Sequence, residues 1–300
     1  MPSFKITLTY DGTGFVGWQR QASGTSIQGV VEDALRDLDQ RDVTVIGAGR
    51  TDAGVHALGQ VASFALHRSM TADALLRAVN ARLPHSVRVI AAEEVDGTFH
   101  ARFGARRKLY RYRIWNAEAV SPFERAYAWH VPGPLDIDAM RVAAGLVEGR
   151  RDFAAFRAAG SATRSSERVV FSSVVLTDRP IWWRSAPQQR FPSAAAGEPE
   201  SSQASVERDR QADSEAGPDR PSPVDGPGTL IEYEVAGSGF LRYMVRNIVG
   251  SLVEIGRGRR PIEWMTTIVE GRDRTLSGPT APAHGLVLVA VEYGGRPSCG

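Results

Sequence analysis

The order of strand and helix periodicities along these 300 residues predicts an α+β fold of two ferredoxin-like (split β-α-β) halves, with mixed or antiparallel sheets meeting at a central basic cleft. Three observations carry that expectation. Residues 1–95 alternate between period-2 and period-3.6 apolar patterns in the order β-α-β-β-α-β. The second half loosely repeats the plan. Once a single acidic stretch is set aside, the remaining chain is distinctly positive.

Taking the elements in order, Phe4, Ile6, Leu8 and Tyr10 alternate with Lys5, Thr7 and Thr9, the pattern of a half-buried strand, and Asp11-Gly12 ends it in a turn. Thr25 with Gln28 makes a capping-box pattern, after which Ile27, Val30, Val31, Ala34, Leu35 and Leu38 trace one helical face. Residues 43–46 and 60–66 read as strands, 71–83 as a helix with Leu75, Leu76, Val79 and Leu83 inward, and 87–95 and 108–115 as further strands. Beyond these, 137–147 reads as a helix, 169–176 and 230–235 as strands and 240–255 as a helix, with 261–270 and 286–293 completing the repeat. The expected division is an N-terminal half, 1–115, and a C-terminal half, 116–300.

Residues 186–228 are of a different character. They are built of Ser, Pro, Ala, Gly, Glu, Asp and Arg, with Phe191 the only aromatic, and cannot bury enough apolar surface to order themselves. A disordered acidic insert is expected there, one that a surface loop tolerates because closure entropy grows only logarithmically with length. Its eight acidic residues and four arginines give −4, so the rest of the chain carries +6 beneath a formal net charge of +2. That balance is compatible with a polyanionic partner. Lys5 and Lys108 are the only lysines; the other 34 basic residues are arginine, the side chain suited to bidentate phosphate contacts. A biased genome yields the same excess, so the placement of individual arginines is what bears on function.

Several function classes are excluded. Cys299 is the only cysteine, which leaves no internal disulfide and no thiolate-based metal site, and the six histidines lack ligand spacing, so no metal and no cofactor are expected. No signal-peptide pattern and no apolar run of membrane-spanning length occur, which points to a cytoplasmic protein with no membrane partner.

Residues 47–56, GAGRTDAGVH, form a glycine-studded loop between two apolar strands, with Arg50 and Asp52 at its centre. Glycine lets backbone approach a ligand closely. The loop fits neither a dinucleotide fingerprint nor a phosphate-cradling loop. Two readings of Asp52 stand at this point: a cap for the following turn with Arg50 as its surface ion-pair partner, or a functional carboxylate. In the 240–255 helix, Arg242, Arg246 and Asn247 lie off the apolar face at one-turn spacing. Tyr110 shares a strand face with Tyr112 and Ile114, either as core or as a platform for a base.

These segments match a known family in order: GRTDAGVHA at 49–57, GQVASF at 59–64, FHARFGA at 99–105 with the tyrosine of KLYRYRI, MVRNIVGSL at 244–252 and the terminal TAPAHGLVLVAVEY. Together they resemble the tRNA pseudouridine synthase A (TruA) family over almost the whole chain. The resemblance implies that Asp52 is the catalytic aspartate, that Tyr110 packs on the target uracil, that Arg246 pairs with the aspartate and that Arg50 takes the place of the extruded nucleotide. It further implies a homodimer that modifies uridines 38, 39 and 40 of the tRNA anticodon stem-loop without a cofactor. His56 is expected to be a supporting residue. The acidic insert and the 294–300 tail depart from the family pattern. The competing readings are an RNA-binding module without catalysis and a synthase acting on ribosomal RNA.

Overall fold

The computed structural model describes residues 1–158, 165–177 and 228–294. The acidic segment expected at 186–228, Gly228 apart, and Cys299 lie outside the described residues. The architecture is α+β, with five helices and ten strands among the described residues.

The alternating apolar residues of β1 (Ser3–Tyr10) are buried and their neighbours half-exposed, as the period of a pleated strand requires. Helix α1 (Ile27–Asp39) begins at Ser26, whose hydroxyl accepts the Gly29 N–H; the cap is therefore Ser26, not Thr25. Gln28 has different work from the capping-box role expected of it: its amide donates to the Val45 carbonyl and to Glu32. The stretch expected as a strand at 43–46 contributes only the two-residue β2 (Ile46–Gly47), after which come β3 (His56–Ala65), α2 (Ala72–Asn80) and β4 (Val87–Val95). The next strand, β5, spans Ala105–Asn116 and is followed by the short β6 (Trp129–His130). The later elements are α3 (Ile137–Gly145), β7 (Gly149–Asp152), β8 (Glu167–Thr177), β9 (Thr229–Gly237), α4 (Met244–Gly256), α5 (Trp264–Gly271) and β10 (Leu286–Tyr293).

All ten strands belong to one sheet, ordered β4-β1-β3-β10-β5-β9-β8-β7, with β2 on β3 and β6 on β5. Neighbours are antiparallel except at β3 with β10 and β5 with β6. The expected pair of sheets is thus joined into a single one, because β10 returns from the end of the described chain to pair with both β3 and β5. Leu288 stands opposite Ala57 on one side and Tyr110 on the other. One apolar core runs along one face of the sheet, from Phe4, Ile6 and Leu8 beneath α1 and α2 to Tyr112, Ile114 and Tyr233 beneath α3 and α4. Each fully buried side chain of this size contributes about 1.5–3 kcal/mol. No helix among the described residues is long and apolar enough to cross a membrane.

Candidate active site

The loop that joins β2 to β3 is tied down at several of its peptides. The Ala48 N–H donates to the Val61 carbonyl at 2.7 Å, and its carbonyl accepts from Lys108 Nζ at 2.8 Å. The Gly49 carbonyl accepts from Gln60 Nε2 at 2.9 Å, that of Thr51 from the Trp18 N–H at 3.0 Å, and that of Asp52 from the Val55 N–H at 3.1 Å. The Thr51 hydroxyl lies 2.9 Å from that of Tyr10, whose pKa burial pushes up to about 12. Gly17 at φ 107° is required here, since a Cβ on it would stand 2.7 Å from the Thr51 carbonyl oxygen. Burial lowers the Lys108 pKa to about 8, aided by the charges of Arg102 and Arg168. A loop tied at Ala48, Gly49, Thr51 and Asp52 presents its side chains from a fixed backbone.

Asp52 is the side chain so presented, with its carboxylate 21% exposed. Arg242 Nε lies 3.5 Å from one of its oxygens and Arg246 Nη1 3.8 Å from the other. Burial raises the carboxyl pKa above its ordinary value; Arg246 and then Arg242 oppose that rise without cancelling it.

The two arginines arrive by different routes. Arg246 sits in the first turn of α4, a helix formed because Met244, Val245, Ile248, Val249, Leu252 and Val253 recur at helical spacing and are buried. Its Nε donates to the Ala281 carbonyl at 2.7 Å, and only 14% of the side chain is exposed. Arg242 precedes the helix, whose start at Met244 is later than the apolar periodicity from Phe240 suggests. The intervening Tyr243 adopts the left-handed region at φ 66°. The Tyr243 ring lies against both guanidinium groups, 4.8 Å from Arg242 and 4.7 Å from Arg246, within cation–π range.

Tyr110 points from β5 into the same region. Its ring meets Phe240 edge-on at 5.0 Å, and burial, followed by the neighbouring Tyr10 and Asp52, drives its pKa upward, so the phenol stays neutral. Arg50 is exposed and donates through Nε to Gln19 Oε1 at 3.1 Å. The ion-pair partners of Asp52 are Arg242 and Arg246, not Arg50. Asn247 is fully buried, donating to the Phe156 carbonyl and accepting from Thr280 and Arg274, and so belongs to the scaffold.

His56 supports the loop from the other side. Its Nδ1 stands 3.0 Å from the Gly12 backbone nitrogen and 3.1 Å from Asp11 Oδ1, and its Nε2 faces the His284 carbonyl at 3.1 Å. Burial lowers its pKa, against the opposing pull of the Asp11 carboxylate. A cavity of about 240 Å³ adjoins it, lined by Asp11, Arg111, Arg113 and Tyr127 among others. Arg111 and Arg113 alternate with Tyr110 and Tyr112 along β5, so this cavity opens on the opposite face of the sheet from Tyr110. No group of three or more His, Cys, Asp or Glu side chains converges as a metal site among the described residues.

The sequence model of a family described as "tRNA pseudouridine synthase" matches residues 6–104 and 143–294. The chain belongs to this family. Among the curated relatives it resembles, tRNA pseudouridine synthase A of Myxococcus xanthus is 39% identical over 294 residues, covering 98% of this chain and 92% of that protein. The Moorella thermoacetica protein of the same name is 40% identical, with 98% and 100% covered, and that of Syntrophotalea carbinolica 39%, with 98% and 97% covered. The two segments matched by the tRNA pseudouridine synthase family carry Arg50, Asp52, Arg242 and Arg246; Tyr110 lies in the stretch between them.

Sequence reasoning missed Arg242 as a neighbour of Asp52, and with it Tyr243. Helical spacing marked Arg242 as off the apolar face, but what that face looks onto is a tertiary property. Gln60 and Lys108 were also missed, although a polar residue inside an otherwise apolar strand, and one of only two lysines, are the signals that single them out.

Proposed function

We propose that this protein isomerises uridine to pseudouridine at positions 38, 39 and 40 of the tRNA anticodon stem-loop, with Asp52 as the catalytic carboxylate. The observation that carries the reading is a loop-fixed carboxylate set between two arginines beside a buried tyrosine. The reaction cleaves the N1–C1′ glycosidic bond, turns the uracil while it stays bound, and forms the C5–C1′ bond with loss of the C5 proton. No oxidant, phosphoryl donor or metal is consumed. Two routes use the carboxylate, attack at C1′ or proton removal at C2′, and both need its ionised form. Arg246, pinned by the Ala281 carbonyl, supports that form. A pure RNA binder gains nothing from an acid placed there, facing a polyanion.

The uracil must leave the stack to reach Asp52, at a cost of a few kcal/mol that pocket stacking and an inserted side chain offset. Tyr110 serves as the stacking surface, and the exposed Arg50 as the group that enters the vacated space. The protein is expected to act in the cytoplasm as a homodimer. The strand orders β4-β1-β3-β2 and β10-β5-β9-β8 support reading the sheet as two ferredoxin-like halves. On that reading β5 goes with the second half, and the boundary moves from 115 to the 96–104 segment.

The test is incubation with unmodified tRNA followed by mapping of pseudouridine, with tritium release from 5-tritiated uridine as the rate assay. Two further results are expected. Tyr110→Phe keeps the stacking surface and most of the yield, whereas Tyr110→Leu loses at least about tenfold, read by the same release assay. Because the Asp52 pKa lies above the ordinary carboxylate value, activity falls as pH drops through it. Arg246→Ala removes the larger of the two opposing charges, so the acid limb of the pH–rate profile moves to higher pH.

A further inference from the structure

Asp52 has two arginine neighbours, and they are not equivalent. Arg246 is locked: it is 14% exposed, its Nε is committed to the Ala281 carbonyl at 2.7 Å, and the Ala281 N–H returns a bond to the Arg246 carbonyl at 3.1 Å. Arg242 is held loosely. Its side chain is 60% exposed, its Nη2 makes one long bond of 3.2 Å to the Tyr243 hydroxyl, and its guanidinium lies on the Tyr243 ring. Its backbone, by contrast, is fixed, with the carbonyl accepting the Ala158 N–H at 3.0 Å and the next residue pinned in the left-handed region. A rigid base, a weakly held guanidinium and a stacking platform make a short arm with one anchored end.

Chemistry supplies a reason for the difference. Two guanidinium groups on one carboxylate hold it ionised but also draw charge from the oxygens that must attack or accept a proton. One fixed arginine still favours the charged acid; a second that stays in place blunts its reactivity. A uridine turned out of a stem brings its own phosphates past this point, and a planar guanidinium pairs with phosphate bidentately at least as well as with carboxylate.

We propose that Arg242 exchanges anions: it pairs with Asp52 and passes to a backbone phosphate next to the extruded uridine as the RNA enters, leaving Asp52 with Arg246 alone. The transfer exchanges one ion pair for another and breaks no covalent bond. The proposal rests on the synthase reading of the site and adds to it a residue that senses RNA and releases the carboxylate.

The experiment uses the whole 300-residue chain and five proteins: the parent, Arg242→Gln, Arg242→Lys, Asp52→Asn and the double variant of Arg242→Gln with Asp52→Asn. Arg242 is mostly exposed, so its replacement leaves the fold standing. Filter binding to unmodified tRNA across a series of salt concentrations gives affinity and the slope of log K against log salt, and tritium release gives turnover. Arg242→Gln is expected to lower the slope magnitude by about one phosphate contact and weaken binding several-fold. Asp52→Asn, which frees Arg242 from its carboxylate, is expected to bind tRNA more tightly than the parent, and the double variant to lose that gain. Arg242→Lys is expected to restore the slope, since a point charge still reaches phosphate.

An unchanged affinity and slope on Arg242→Gln in both backgrounds, with a parent that forms pseudouridine, would overturn the exchange and leave the synthase reading intact. A parent that forms no pseudouridine in tRNA would overturn that reading and the exchange with it.

Discussion

Asp52→Asn yields no detectable pseudouridine, a fall of roughly 10⁴-fold or more, the scale seen when a nucleophile or base is removed and no neighbour can replace it. The isostere keeps the shape of the side chain and the hydrogen bonds of its backbone, so tRNA binding persists. Stability does not fall either. The folded-state pKa of Asp52 is raised, so it is the ionised form that costs stability, and the cost is absent below the unfolded pKa and fully present above the folded one. At neutral pH the amide removes this cost, and the melting temperature of Asp52→Asn is expected to be no lower than the parent's. Arg246→Ala placed on Asp52→Asn adds little further loss of activity, because the two act as a unit. Substantial tritium release by Asp52→Asn would remove the carboxylate from the chemistry.

Gly250→Ala damages the site from a distance. Gly250 faces the 278–281 segment so closely that a Cβ would overlap the Pro279 carbonyl oxygen. Both partners are backbone, on a helix and on a segment tied to it through the Arg246 and Ala281 hydrogen bonds, so neither yields cheaply. Overpacking of this kind costs about 1–3 kcal/mol, or a drop of several degrees in melting temperature for a chain of this size. The segment that moves carries the Ala281 carbonyl, so Arg246 loses its anchor and turnover falls with stability. Scanning calorimetry and the release assay, run on one preparation, check both. A variant as stable and as active as the parent would mean the segment has slack that the packing denies.

What could be read from the sequence follows a physical division. β10 was legible over its full length, because LVLVAVEY is dense in β-branched residues and bounded by glycine at both ends. The 43–46 stretch was misread, since Val43 and Val45 are buried as core residues while the chain there stays irregular and only Ile46–Gly47 pairs with β3. Periodicity reports burial, and burial alone does not make a ladder. The helix expected from 240 begins at Met244 because Tyr243 takes a left-handed conformation that no apolar pattern encodes. For the site, the loop and the α4 motif placed Asp52 and Arg246 by resemblance. The second arginine on the carboxylate and the tyrosine between the two came only with the fold.

The strand that unites the sheet is also the last of the described elements to leave the ribosome. Until residues 286–293 emerge, Ala57 and Tyr110 have no shared neighbour in Leu288, and β3 and β5 lack the strand that pairs with both. Pairings this far apart in sequence form late and slowly. A chain that stops before residue 286 thus carries Arg50, Asp52, Tyr110, Arg242 and Arg246 without the strand that joins β3 to β5 in one sheet.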